Sequence, residues 1–215
     1  MTKDHPHSVT ETFGNRHDYL PAAGHDLLLP GYDLLTRLLG MRPVYDELVA
    51  QVELFDGAQV LEIGCGTGNL MQKVKQGHPG AVLTGMDPDP RALARAGRKV
   101  RRAAGVRFDH GYAQELPYAD GSFDRVLSSM MLHHLDDGVK AATVAEAFRV
   151  LRPGGSMHVV DVIGPHGAAA HDGSVIPGLL RSGGFESAEL GSRRLRMVGP
   201  VRFYRGIRPL SPLRT

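Results

Sequence analysis

The chain has 215 residues, 42% of them apolar, and 25 lysines and arginines against 23 aspartates and glutamates leave a formal net charge of +2. That length and apolar content suit one domain large enough to bury a core, and so balanced a charge gives no reason to expect nucleic acid. A single cysteine excludes an internal disulfide and points to a reducing compartment. No run approaches the roughly 20 apolar residues of a membrane span, and "MTKDHPHSVT" lacks a signal-peptide core, so a cytoplasmic protein is expected.

Residues 1–15 are polar and patternless and are expected to form a disordered tail. Residues 16–55 are expected to form a helical cap, because "HDLLLPGYDLLTRLLGMRPVYDELVAQV" reads as helices broken near Pro30 and Pro43. Leu34, Leu35, Leu38 and Leu39 make one apolar stripe at helical spacing. The stripe reads as a helix packed on the main domain, or else as a lid over an apolar substrate or a membrane-surface contact. Residues 56–215 are expected to form the main domain. Apolar runs at 59–63, 81–86, 106–109, 123–128 and 156–163 read as strands, and helices fit near 69–77, 89–104 and 137–151. Gly77, Gly105 and the "RPGG" at 152–155 supply helix stops. Strand and helix taking turns predict a parallel sheet with helices on both faces. A helix near 174–182 leads to "FESAEL" and "VRFYRGI", with Gly-Pro between them, which predicts a terminal antiparallel hairpin. The expected fold is therefore α/β, doubly wound on a mostly parallel seven-stranded sheet. From Gly191 onward there are seven arginines and no acidic residue. That segment reads as a solvated edge, with an anionic partner as the alternative.

"VLEIGCGTGNL", Val60 to Leu70, is the most informative stretch. A glycine-rich turn between a first strand and its helix brings backbone amides and a helix N-terminus to a ligand. Nicotinamide-binding proteins use G-x-G-x-x-G there; here the third glycine, Gly68, arrives one residue early. The next strand, "AVLTGMD", ends in Asp87, a carboxylate placed to accept hydrogen bonds from both hydroxyls of a ribose. Glu62 adds negative charge before the turn, and no phosphate-binding lysine or arginine is evident. A nucleoside carrying positive charge suits such a site.

Together with "GMDPDP", "QELPYADGSFDRVLSSMMLHHL" and "EAFRVLRPGGSMHVVDV", the glycine stretch resembles the class I S-adenosylmethionine-dependent methyltransferases. The resemblance is to the subgroup that includes quinone, sterol and natural-product methyltransferases, and it covers roughly Asp56 to Ile163. It implies a Rossmann-like sheet, S-adenosyl-L-methionine as cofactor and a small-molecule methyl acceptor. It also implies roles. Gly64, Cys65 and Gly66 would lie along the methionine part of the cofactor, beside Gly68, with Glu62 near its ammonium or bracing the loop. Asp87 would hold the ribose and Pro88 would pack on the adenine. Ser128 and Ser129 would face the sulfonium. The family often has an acidic residue before the alanine of "GYAQELP"; here Tyr112 stands there, leaving Ala113 and Gln114 to offer backbone or amide contacts. Gly68 can equally serve close helix packing, and Cys65 reads as a small filler.

Methyl transfer needs an in-line nucleophile and exclusion of water, and a base helps if the acceptor is a hydroxyl. His133 and His134 after strand four and Asp161 at the end of strand five are the candidate catalytic residues, since those strands are neighbours in the resembled family. The sequence does not choose between the two histidines, which can equally bond backbone or cap a helix. His158 and Asp161 lie three apart on a strand and so point to opposite faces. Without C-x-x-C or H-E-x-x-H, no metal site is expected. Two rival readings remain: an enzyme of the same fold acting on RNA or protein, suggested by the arginine-rich end, and a cofactor-binding protein without turnover.

Overall fold

The computed structural model describes residues 39–163 and 175–210. Its centre is a seven-stranded sheet in the order β3-β2-β1-β4-β5-β7-β6. The strands are β1 (Gln59–Ile63), β2 (Val82–Asp87), β3 (Val106–His110), β4 (Phe123–Ser129), β5 (Leu151–Val162), β6 (Glu186–Leu195) and β7 (Gly199–Ile207). The first five pair in parallel, and β7 runs antiparallel between β5 and β6. The helices are α1 (Met41–Gln51), α2 (Asn69–Gly77), α3 (Pro90–Val100), α4 (Asp137–Val150) and α5 (Val175–Ser182).

Helices cover both faces, so the parallel strands read as unbroken apolar runs rather than alternating ones. Val60, Leu83, Leu127 and Val160 pack with Leu48 of α1 and Leu70, Met71 and Val74 of α2. Their strand neighbours Leu61, Met86, Val126 and Val159 pack on the opposite face with Val144 and Ala147 of α4 and Ile176 and Leu180 of α5. The alternation of partners along each strand is the two-residue period of the pleat.

Several sequence-based boundaries shift. Pro43 does not break a helix: it lies in the first turn of α1, where its missing amide is not needed. α3 ends at Val100, earlier than its pattern suggests. "RPGG" is part of β5, as a bulge: pairing moves from Phe123↔Leu151 to Arg125↔Ser156. The hairpin turns over residues 196–198, and Gly199 and Pro200 already belong to β7. The proposed tail and all of the leucine stripe except Leu39 lie outside the described residues.

Three arginines of the arginine-rich end are tied to their own chain. Arg193 bonds Glu47 of α1 at 2.9 Å, and Arg202 approaches Glu189 at 3.4 Å. Arg208 donates to the carbonyls of Phe148, Arg149 and Leu151, the orphan acceptors where α4 ends.

Candidate active site

The sheet order reverses direction between β1 and β4, and ligands of open α/β sheets bind in the crevice beyond the strand C-termini at such a point. On one side of that crevice is the glycine turn. The amides of Gly64 and Cys65 both donate to the Met86 carbonyl, at 2.9 and 3.0 Å, which fastens the turn to the end of β2. Gly68 has a φ of +74°, and a side chain there would meet Ala96 of α3 at 2.9 Å. Glycine is therefore required at 68 for helix packing. The Gly66 amide donates to Asp87 Oδ2 at 2.8 Å, and Asp89 donates its amide to Asp87 Oδ1 at 2.9 Å. A carboxylate has about four lone-pair positions, so Asp87 keeps acceptor capacity at the strand tip. Burial is the main cause that raises its pKa, to about 6, against the lowering effect of those two amides.

Glu62, only 4% exposed, bonds the Met71 amide in the first turn of α2, while its Oε2 has no partner. Burial, then the charge of Asp87, holds its pKa well above the ordinary carboxylate range. The Cys65 thiol is buried, lies beside Gly85 and Met71, and is pushed up in pKa by burial. Its side chain is core, and only its backbone faces the turn. Pro88 is half-buried after Asp87; Ala113 is half-buried and Gln114 exposed beyond β3.

Across the crevice, Ser128 and Ser129 end β4 with hydroxyls that are buried and unpartnered. The chain then turns sharply through Met130, a non-glycine residue at φ +54°. Its amide is anchored on the Val160 carbonyl at 2.9 Å. That strained turn sends residues 132–134 back toward β5 as a 3₁₀ turn. His133 thereby reaches Asp161: its Nδ1 lies 2.5 Å from Oδ1, and its amide donates to Oδ2 at 3.0 Å. Asp161 is 1% exposed and also accepts the Val162 amide at 2.8 Å. Nδ1 is thus assigned the proton, which leaves Nε2 as an acceptor. His134 lies against His133, with ring centroids 3.8 Å apart, but does not bond Asp161. It keeps an exposed face. Desolvation of its inner edge, then the imidazole of His133, lowers its pKa. His158 bonds Ser156 at 3.0 Å and is separate from this pair.

Sequence reasoning missed two supporting residues. Met131 lies over the glycine turn, where a side chain at Gly64 would meet it at 2.5 Å. Lys99 of α3 bonds Asn69 Oδ1 at 2.5 Å and Thr67 Oγ1 at 3.4 Å, bracing the start of α2. Lys99 is a contact between distant segments, with no local signal; the "MM" beside "HH" was at least a place to look. Among the described residues, no group of three or more His, Cys, Asp or Glu is placed to hold a metal. No helix among them is long and apolar enough to cross a membrane.

A doubly wound sheet with a glycine turn after β1 and an acidic tip on β2 is the Rossmann-like architecture on which nucleoside-containing ligands bind. Residues 60–155 match the family model described as "Methyltransferase domain". The chain is 37% identical over 138 residues to the demethylmenaquinone methyltransferase of Thermus thermophilus, covering 62% of this chain and 62% of that protein. It is 30% identical over 169 residues to the 27-O-demethylrifamycin SV methyltransferase of Amycolatopsis mediterranei, covering 76% and 61%. Its fold is similar to that of phosphoethanolamine N-methyltransferase 2 of Haemonchus contortus, solved with S-adenosyl-L-methionine. The TM-score is 0.72 at 14% identity, covering 87% of this chain and 58% of that one. The chain spans about three fifths of the length of the curated relatives it matches.

Residues 60–155 are a methyltransferase domain, and S-adenosyl-L-methionine is the cofactor implied by the likeness to such methyltransferases. The residues present fit that group. Glu62 Oε2 is a buried acceptor without a partner just before the glycine turn, and Asp87 has spare acceptor positions at the tip of the neighbouring strand.

Proposed function

We propose that the protein transfers a methyl group from S-adenosylmethionine to an oxygen, nitrogen or carbon atom of a small organic acceptor, with His133 as the base when that atom is a hydroxyl oxygen. The observation that carries this reading is the His133–Asp161 pair, joined at 2.5 Å beside the unpartnered hydroxyls that end β4. Bound S-adenosylmethionine supplies an electrophilic methyl on its sulfonium. Asp87 accepts the ribose hydroxyls, Glu62 faces the ammonium, and Gly64, Cys65, Gly66 and Gly68 shape the turn beside the methionine. Pro88, Ala113 and Gln114 border the adenine, and the end of β4 at Ser128 and Ser129 lies toward the sulfonium. Asp161 holds the His133 ring with Nε2 free to take a proton and steadies the imidazolium that results. His134 has no such partner and is not assigned a proton-transfer role.

A small acceptor is supported by the similarity to a demethylmenaquinone methyltransferase and a 27-O-demethylrifamycin SV methyltransferase. The internal bonding of Arg193, Arg202 and Arg208 engages part of the basic end that suggested an RNA acceptor. The test is to incubate the protein with methyl-labelled S-adenosylmethionine and an extract of its source cell, then separate small molecules, RNA and protein. Label is expected in a small molecule. Label confined to RNA or protein, or no label at all, contradicts the proposal.

A further inference from the structure

Glu62 and Asp87 stand on the same face of neighbouring strands, in a sheet where Glu62 pairs with Gly85 two residues before Asp87. Both are buried, and neither forms an ion pair among the described residues. Among the described residues, the groups packed around them supply little positive charge. From α2, the Met71 amide bonds Glu62. From α3, Lys99 is bonded to Asn69 and Thr67, and its charge is the weakest influence on Glu62. From the glycine turn and the start of α3, the amides of Gly66 and Asp89 bond Asp87, while the Asp89 carboxyl opposes it and His110 of β3 favours its charge. The Cys65 thiol is neutral and buried.

Two adjacent buried carboxylates without a cation are costly, and the ordinary remedy is to retain a proton. Glu62 Oε2, lacking any partner, is the open acceptor. An ammonium placed there supplies the missing donor and the missing charge. We propose that the cofactor's ammonium takes the place of a proton held by the Glu62–Asp87 pair, so that binding releases this proton to solvent and tightens as pH rises. This rests on the assignment of both residues to the cofactor above.

Burial raises Glu62 in the free protein, and a cation beside it lowers it in the complex. Between those values the free protein carries a proton that the complex lacks. Affinity therefore climbs with pH through that window, by at most about tenfold per pH unit for one proton, and is level above it.

The test is calorimetric titration of the full chain at pH 7, above the value near 6 for Asp87, in two buffers of different ionisation enthalpy. S-adenosylhomocysteine carries the ammonium; methylthioadenosine has the same nucleoside without the amino-acid part. S-adenosylhomocysteine is expected to release on the order of one proton and methylthioadenosine almost none, and Glu62→Gln should bring the first down to the second. Equal release with both ligands, or none with either, overturns the proposal and leaves the cofactor assignment standing. Failure of S-adenosylhomocysteine to bind contradicts the assignment itself. Should Glu62→Gln not fold, the unaltered protein decides: the affinity ratio of the two ligands must rise between pH 6 and 7.5, and a constant ratio overturns the proposal.

Discussion

Asp87 closes the glycine turn through the Gly66 amide and still presents free lone pairs at the tip of β2. Asp87→Ala removes charge-assisted bonds worth roughly 1.5–3 kcal/mol each, so the dissociation constant for S-adenosylhomocysteine should rise at least about tenfold. The carboxylate must be ionised to accept both ribose hydroxyls, and its pKa is raised to about 6. Affinity should therefore fall as pH drops through about 6, for methylthioadenosine as well as for S-adenosylhomocysteine. Dissociation constants measured at pH 5 and pH 7 check the direction. At the other wall of the crevice, only one of two adjacent histidines reaches Asp161. For a hydroxyl acceptor, His133→Ala should lower turnover about 10²-fold or more, Asp161→Asn somewhat less, and His134→Ala little. Methyl transfer to the product found by the labelling experiment is the measurement, and equal losses for both histidines would sink the assignment of His133 as base.

At the scale of elements, Arg208 links the last strand to the end of α4, bonding three carbonyls and lying over the Phe148 ring at 4.7 Å. Arg208→Ala should cost roughly 1–2 kcal/mol and lower the melting temperature by about 2–8 °C, with cofactor affinity unchanged because the residue lies away from the glycine turn. Scanning calorimetry with and without ligand separates the two effects. Helices and parallel strands were legible in the sequence because each buried face leaves an apolar run of the right length. Irregular joints were not. Pro43 looks like a break until its place in a first turn is known. The bulge at "RPGG" depends on pairing with Phe123 and Arg125, which no local pattern reports. The left-handed Met130 has no sequence signal, since that conformation is imposed by its surroundings.

For the whole molecule, the sheet order brings the ends of β1, β2, β4 and β5 to one edge and so assembles residues spread from Glu62 to Asp161. The glycine turn and Asp87 were legible because their chemistry is local to single strand ends. The choice of His133 over His134 was not, because it depends on a contact across 28 residues. Calorimetric titration of the full chain with S-adenosylhomocysteine and with NAD shows whether this edge binds an adenosyl amino acid or a dinucleotide. Saturable binding of S-adenosylhomocysteine and none of NAD is the predicted result; binding of NAD alone would contradict the account.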